Sequence, residues 1–280
     1  MSGNVSTSNA AGNQAQNRLT VAGTNIAITN FAGGITDVLP RIDSTAPGGR
    51  IAAADNLLLS DQLNNAAITS TNTDNTVSIT SDAAGLAADG STLSVTGNIT
   101  EARATANLVL NSSITLGGAA TASGQATGLI GNFQFNDAGG VVDATASTNT
   151  NVSLAGIGAG GALNNGSAVL QGNSTLALGR GNVAENVLTT QGSNVGAGFT
   201  GAAINSNGSP DTATLAASFG VFNEQVQQAA INATTTGANY AINATSGTGA
   251  ALNAASVSVS GNSINATAFG NIATNSVTLI

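Results

Sequence analysis

Gly261-Asn262-Ser263-Ile264-Asn265-Ala266-Thr267-Ala268-Phe269-Gly270-Asn271-Ile272-Ala273-Thr274-Asn275 carries the pattern on which the whole chain turns. Its skeleton is Gly-Asn, then a small residue at Ala266, Ala268 and Gly270, then Asn271, Ala273 and Asn275. The same offsets recur three times. Gly172-Asn173 precedes Ala177, Gly179 and Gly181, then Asn182, Ala184 and Asn186. Gly97-Asn98 precedes Ala102, Ala104 and Ala106, then Asn107, Val109 and Asn111. Gly3-Asn4 precedes Ser8, Ala10 and Gly12, then Asn13, Ala15 and Asn17. Four copies at fixed offsets identify a tandem-repeat protein.

Two rows of period two are strand geometry. The first row is small throughout, so another backbone layer can approach it closely. The phase slips by one residue where the rows meet, at Gly270-Asn271 and its equivalents. Gly and Asn tolerate positive φ, so this pair reads as a corner between two strands. Asn in a regular row forms amide ladders when identical positions stack at the strand spacing.

The repeat starts at Gly3, Gly97, Gly172 and Gly261 are 94, 75 and 89 residues apart. Apolar runs at Leu86 to Val95, Leu163 to Leu170 and Leu252 to Val259 lead into three of them. Further upstream, Asn75 to Ile79 matches Asn151 to Leu154 and Asn239 to Ile242, and these ends precede the next Gly-Asn by 18, 18 and 19 residues. Leu252, Gly261, Gly270 and Leu279 recur every nine. These spacings predict an all-β, solenoid-like stack of two-sided coils of about 18 residues, roughly four to a repeat. Three small β-sandwich-like repeats are the alternative fold. The organisation is then repeat one at 1–96, repeat two at 97–171, repeat three at 172–260 and a last motif copy at 261–280. Extra residues at 36–50 and 196–211 contain all three prolines, Pro40, Pro47 and Pro210, and read as solvated loops. Leu215, Phe219, Phe222, Val226 and Ala230 have helical spacing, but the repeat-two counterpart Phe133-Gln134-Phe135-Asn136 alternates, which favours strand.

Composition narrows the function. Charged residues are 6% and aromatics 3%, with 36 Gly and no Cys, His or Trp. Such a chain lacks the bulk for an ordinary globular core, whereas a flat stack of strands needs only small side chains. Mean hydropathy is +0.19, unlike a disordered chain. A net charge of −8 with five basic residues excludes a nucleic-acid footprint. No run is long enough for a transmembrane helix, so no membrane insertion is expected. The start Met1-Ser2-Gly3-Asn4 shows no leader, so an exported chain has had one removed or uses another route.

Without His or Cys, the commonest general base, nucleophile pairs and metal ligands are missing, and no enzyme activity or cofactor is expected. Asp82, Asp89 and Glu101 are scattered and read as exposed edges. Ala88-Asp89-Gly90-Ser91 reads as a plain turn, since the repeat of calcium-binding solenoids is missing around it. Asn-x-Ser/Thr triplets such as Asn173-Ser174-Thr175 recur as this composition dictates.

At Gly181-Asn182-Val183-Ala184-Glu185-Asn186 and its counterparts the chain resembles bacterial functional-amyloid and surface-fibre proteins, the curlin family and holdfast-anchor proteins among them. The curlin glutamines are replaced here by Asn, and the period is several times longer. The resemblance implies an extracellular, assembled, non-enzymatic protein at the cell surface or in a biofilm. Two alternatives stand beside it. One is a monomeric adhesin or ligand-binding solenoid, whose Thr rows (Thr69, Thr71, Thr73; Thr234 to Thr236) admit a sugar- or ice-binding face; the other is a polysaccharide-acting β-helix enzyme.

Motif copies 75 to 94 residues apart are expected to be separated by several coils, and so to ladder between subunits rather than within one. The expected head-to-tail interface is Asn4, Asn13, Ala15 and Asn17 of one subunit against Asn262, Ala266, Ala268, Asn271, Ala273 and Asn275 of the next. Asn98, Asn107, Asn111, Asn173, Asn182 and Asn186 are the expected repeat core. The partner is another copy of the chain, with a cell-surface anchor or polysaccharide beyond it.

Overall fold

A computed structural model describes residues 1–23, 54–84, 88–117, 126–157, 163–191, 219–246 and 252–280. The expected loops at 36–50 and 196–211, with all three prolines, lie outside them, as do Leu86 and Leu215. The chain is all-β, with no helix among the described residues. The first repeat gives β1 (Val5–Gly23), β2 (Ala54–Asn64), β3 (Ile68–Ala84), β4 (Ala88–Asp89) and β5 (Thr92–Thr96). The second gives β6 (Ile99–Gly117), β7 (Ala126–Asn136), β8 (Val142–Ile157), β9 (Leu163–Asn164) and β10 (Ser167–Gln171). The third gives β11 (Ser174–Gln191), β12 (Phe219–Gln227), β13 (Ile231–Thr235), β14 (Asn239–Ser246), β15 (Leu252–Asn253) and β16 (Ser256–Ser260), and β17 (Ser263–Leu279) opens a fourth.

Each strand pairs, in parallel, with its equivalent in the next repeat. The motif strands form the sheet β1-β6-β11-β17, and the others form β2-β7-β12, β4-β9-β15 and β5-β10-β16. In the fifth sheet β8 pairs β3 on one side, and β13 and β14 in tandem on the other. One repeat is therefore one level of a stack, and in the motif sheet a residue meets its neighbour 94, 75 or 89 positions away. This corrects two expectations: a repeat does not hold about four coils of 18 residues, and motif copies are not kept apart within the chain. The repeats near nine and 18 are distances between strands along one level. Parallel in-register pairing places identical residues on one another, which is why four motif copies keep identical offsets.

The expected corner inside the motif has neither a positive φ nor a break in the strand. β6 runs unbroken from Ile99 to Gly117. Register runs from Ala11↔Thr105 to Asn13↔Asn107 and steps over Gly12 and Ala106. The register is unchanged across the phase slip, which recurs at Gly181 and Gly270. It leaves two consecutive side chains buried, Ala106 and Asn107. True corners lie one element earlier, where Gly3, Gly97, Gly172 and Gly261 have φ of 66°, 64°, 65° and 62°, a region that favours glycine.

Two walls face each other across each level. The small row of the motif packs on the first half of β8: Ala102, Ala104, Ala106 and Ala177 meet Val142, Ala144 and Ala146. β5 and β10 face its second half, where Val95, Ala168 and Leu170 meet Val152 and Leu154. The ambiguous segment is strand: Phe219 to Gln227 pairs with Gly128 to Asn136 residue by residue. Stacking sets Phe133-Gln134-Phe135-Asn136 beside Glu224 to Gln227. In the β3-β8-β14 sheet the true column is Ile79, Val152 and Ile242, so the expected equivalence with Leu154 is two residues out, on the same face.

Candidate assembly surface

The motif asparagines stack into three columns. Nδ2 of Asn4 donates to Oδ1 of Asn98, Asn98 to Asn173 and Asn173 to Asn262, each at 2.8 Å. Asn13 donates to Asn107 at 2.7 Å, Asn107 to Asn182 at 2.7 Å and Asn182 to Asn271 at 2.8 Å. Asn17, Asn111, Asn186 and Asn275 link at 2.9, 2.8 and 2.8 Å. The corner column also caps the turn: backbone N–H of Asn4, Asn98 and Asn173 reaches Oδ1 of the Asn above.

The second protons stitch the walls together. Asn13, Asn107 and Asn182 donate to the carbonyls of Leu63, Phe135 and Val226. In return, Gln62, Gln134 and Gln225 donate to the carbonyls of Leu108, Val183 and Ile272. The glutamines form a ladder of their own, Gln225 to Gln134 and Gln134 to Gln62, both at 2.7 Å. Asn64 donates to Asn136, and Asn132 to Asn223. A buried amide with its hydrogen bonds made contributes about 1 kcal/mol per bond; one left unmade costs more. This seam lets a chain of small and amide residues hold together with little aliphatic bulk.

The sequence reading missed the glutamine column. Its signal was Gln-Leu-Asn at Gln62 to Asn64, Gln-Phe-Asn at Gln134 to Asn136 and Gln-Val-Gln at Gln225 to Gln227. These glutamines stand on the strands that face the motif.

Asn98, Asn107, Asn111, Asn173, Asn182 and Asn186 are all buried between levels. That burial also closes Asn173-Ser174-Thr175 to any modifying enzyme. Asn4, Asn13, Ala15 and Asn17 lie in the first motif strand, and Asn262, Ala266, Ala268, Asn271, Ala273 and Asn275 in the last. Within this chain they are three levels apart, joined through the intervening copies.

At the last level, interior columns reach the surface. Val95 and Leu170 are 0% exposed, while Val259 above them is 50% exposed. Ala266, Ala268, Asn271 and Ala273 are exposed, though their equivalents in β6 and β11 are buried. Among the described residues β1 and β17 each have one strand partner, so each carries an unpaired edge.

Outside the seam, Glu101 is buried rather than at an exposed edge, held by Arg103 Nε at 2.7 Å. Ala88 and Asp89 form β4, followed by Gly90 at φ 65°. Thr69 and Thr71 are exposed on β3, and Thr71 stacks with Thr145 and Thr234. The Tyr240 hydroxyl meets Thr175 Oγ1 at 2.7 Å; burial raises its pKa, and that hydrogen bond opposes the rise.

Comparison with protein-family models, curated proteins and solved structures gave no match.

Proposed function

We propose that the chain is a β-solenoid and the structural subunit of an extracellular bacterial filament, stacking head to tail through its first and last motif strands. Its role is surface attachment or biofilm matrix, without catalysis. The observation that carries the reading is the identity of register from level to level. Every motif strand offers the next the same Asn rows, the same small row and the same phase slip, so a strand from a second copy finds the partner that β6 finds in β11. The two faces of the stack differ, since motif Nδ2 groups point toward the last level and Oδ1 groups toward the first. Unlike, complementary faces make a heterologous contact, which propagates rather than closing a dimer. The export and surface setting rests on the resemblance of the motif to surface-fibre proteins. Electron microscopy of the purified chain tests the reading. Filaments one stack wide are expected; dispersed short particles at every concentration contradict it and favour a monomeric adhesin.

A further inference from the structure

Among the described residues the motif sheet has four strands, while the sheets that face and flank it have three, with Met1 and Ser2 adding a short rung beside the end of β5. On the head-to-tail reading just given, this difference decides how two copies join. The walls interleave in height: β2 is bonded both to β1, through Asn13 and the Leu63 carbonyl, and to β6, through Gln62 and the Leu108 carbonyl. In the same way β12 is held by β11 below and β17 above, through Asn182 to Val226 and Gln225 to Ile272.

Suppose β1 of a second copy stands directly on β17. Its β2 then lies two strand spacings above β12, about 9.6 Å, with no strand between. The same gap opens over β13, β14 and β15, while on β16 only Met1 and Ser2 of the second copy stand, over Val259 and Ser260, as they stand under Val95 and Thr96 within one chain. Suppose instead that β2 stands on β12, β3 on β13 and β14, and β5 on β16. Every sheet then continues without a gap, but β1 falls in the place already held by β17, and Met1 and Ser2 in that of Val259 and Ser260.

Strand lengths decide between the two. Continuing without a gap pairs β2, β3 and β5, of 11, 17 and 5 residues, whereas motif on motif pairs β17, of 17 residues, and adds only Met1 and Ser2 on β16. The contested place costs no ladder, because either strand fills it. β17 under the β6 of the second copy sets Asn271 where Asn13 donates to Asn107.

We infer that β17 of one copy and β1 of the next are rival occupants of one slot, and that the filament grows by strand replacement, one of the two being released at each junction.

Two cysteine pairs in the full chain, which has no cysteine of its own, test this. Leu63 and Val226 both neighbour Phe135, so within one chain they are two levels apart. With strand replacement, Leu63 of one copy stands directly over Val226 of another, within disulfide reach. Gln16 and Thr274 lie in one outward column of the motif sheet, through Leu110 and Glu185. They become neighbours between copies only if β1 stands on β17. Oxidised filaments of Leu63→Cys/Val226→Cys are expected to run as disulfide-linked multimers on denaturing gels, and those of Gln16→Cys/Thr274→Cys as monomers. The reverse pattern, linkage in both or linkage in neither overturns strand replacement while leaving the filament intact. An unsubstituted chain that forms no filament overturns the filament reading itself, and this inference with it.

Discussion

Ala104 and Ala268 hold the same position in the same motif, two strands apart in one sheet, and meet opposite surroundings. Ala104 is fully buried against β8, while Ala268 is exposed at the last level. Asn107 and Asn271 differ in the same way. Asn107 accepts from Asn13 and donates to Asn182 and to the Phe135 carbonyl, whereas Asn271 accepts from Asn182, donates to the Gln225 carbonyl and has no level above it. Identical sequence thus has two energetic roles. In the middle of the stack it makes the fold; at its ends it is a surface already shaped for another copy.

The sharpest way to break this comparison is the asparagine pair. Asn107→Ala removes three hydrogen bonds at a buried site and leaves their partners unmet, so it should cost about 3 kcal/mol. Asn271→Ala should cost about 1 kcal/mol or less, since water reaches its partners. Denaturant unfolding of the two variants checks this, and equal losses would erase the distinction between middle and end.

The alanine pair comes next. Ala104→Leu should overpack the face against β8 and cost about 1–3 kcal/mol. Ala268→Leu should leave the thermal midpoint of the isolated chain nearly unchanged while reducing filament formation. A stability loss at Ala268 equal to that at Ala104 would mean the last level is as enclosed as the middle.

The all-β class and the inward small row were legible, because period-two alternation and side-chain size are local properties. Burial of Ala102, Ala104, Ala106 and Ala177 follows from them directly. The size of a level was not legible. Recurrence at nine and 18 along the chain looks like a short coil, yet Asn98 and Leu116, 18 apart, share no chemistry. What stacks is what repeats residue for residue, and that distance is 72 to 94. The connections hid it by differing in length: eight residues (118–125) separate β6 from β7, but 30 (24–53) separate β1 from β2. The glutamine column was hidden for another reason. A ladder needs one amide per level, and one column residue per repeat, Gln62, Gln134 and Gln225, gives no local period.

A smaller effect sharpens the picture at the turns. Gly90, Asn165 and Ala254 all have positive φ, with Asn165 at 49° and Ala254 at 47°, in the turns that lead into β5, β10 and β16. A Cβ in this region costs about 1 kcal/mol, so Ala254→Gly should raise stability by about that amount, read as a higher midpoint in thermal unfolding. Lower stability would mean the lost side chain matters more than the backbone.

The smallest effect is alkaline. Burial holds the Tyr240 phenol neutral above its ordinary value of 10.0, against the opposing hydrogen bond from Thr175. The unfolded chain ionises first, so this contribution is complete below pH 10 and is lost as pH rises past it. With one tyrosine in the chain, an absorbance titration reads this site alone. Tyr240→Phe should remove that part of the pH dependence.

Intrachain disulfide formation tests most directly whether each repeat forms one level. Leu110 and Glu185 are exposed neighbours in adjacent motif strands, and Thr274 lies one strand beyond Glu185. In dilute monomer, Leu110→Cys/Glu185→Cys should oxidise to an intrachain bond without loss of stability, while Leu110→Cys/Thr274→Cys, about 9.6 Å apart, should stay reduced. No bond in the first pair, or a ready bond in the second, would contradict the stacking of repeat on repeat.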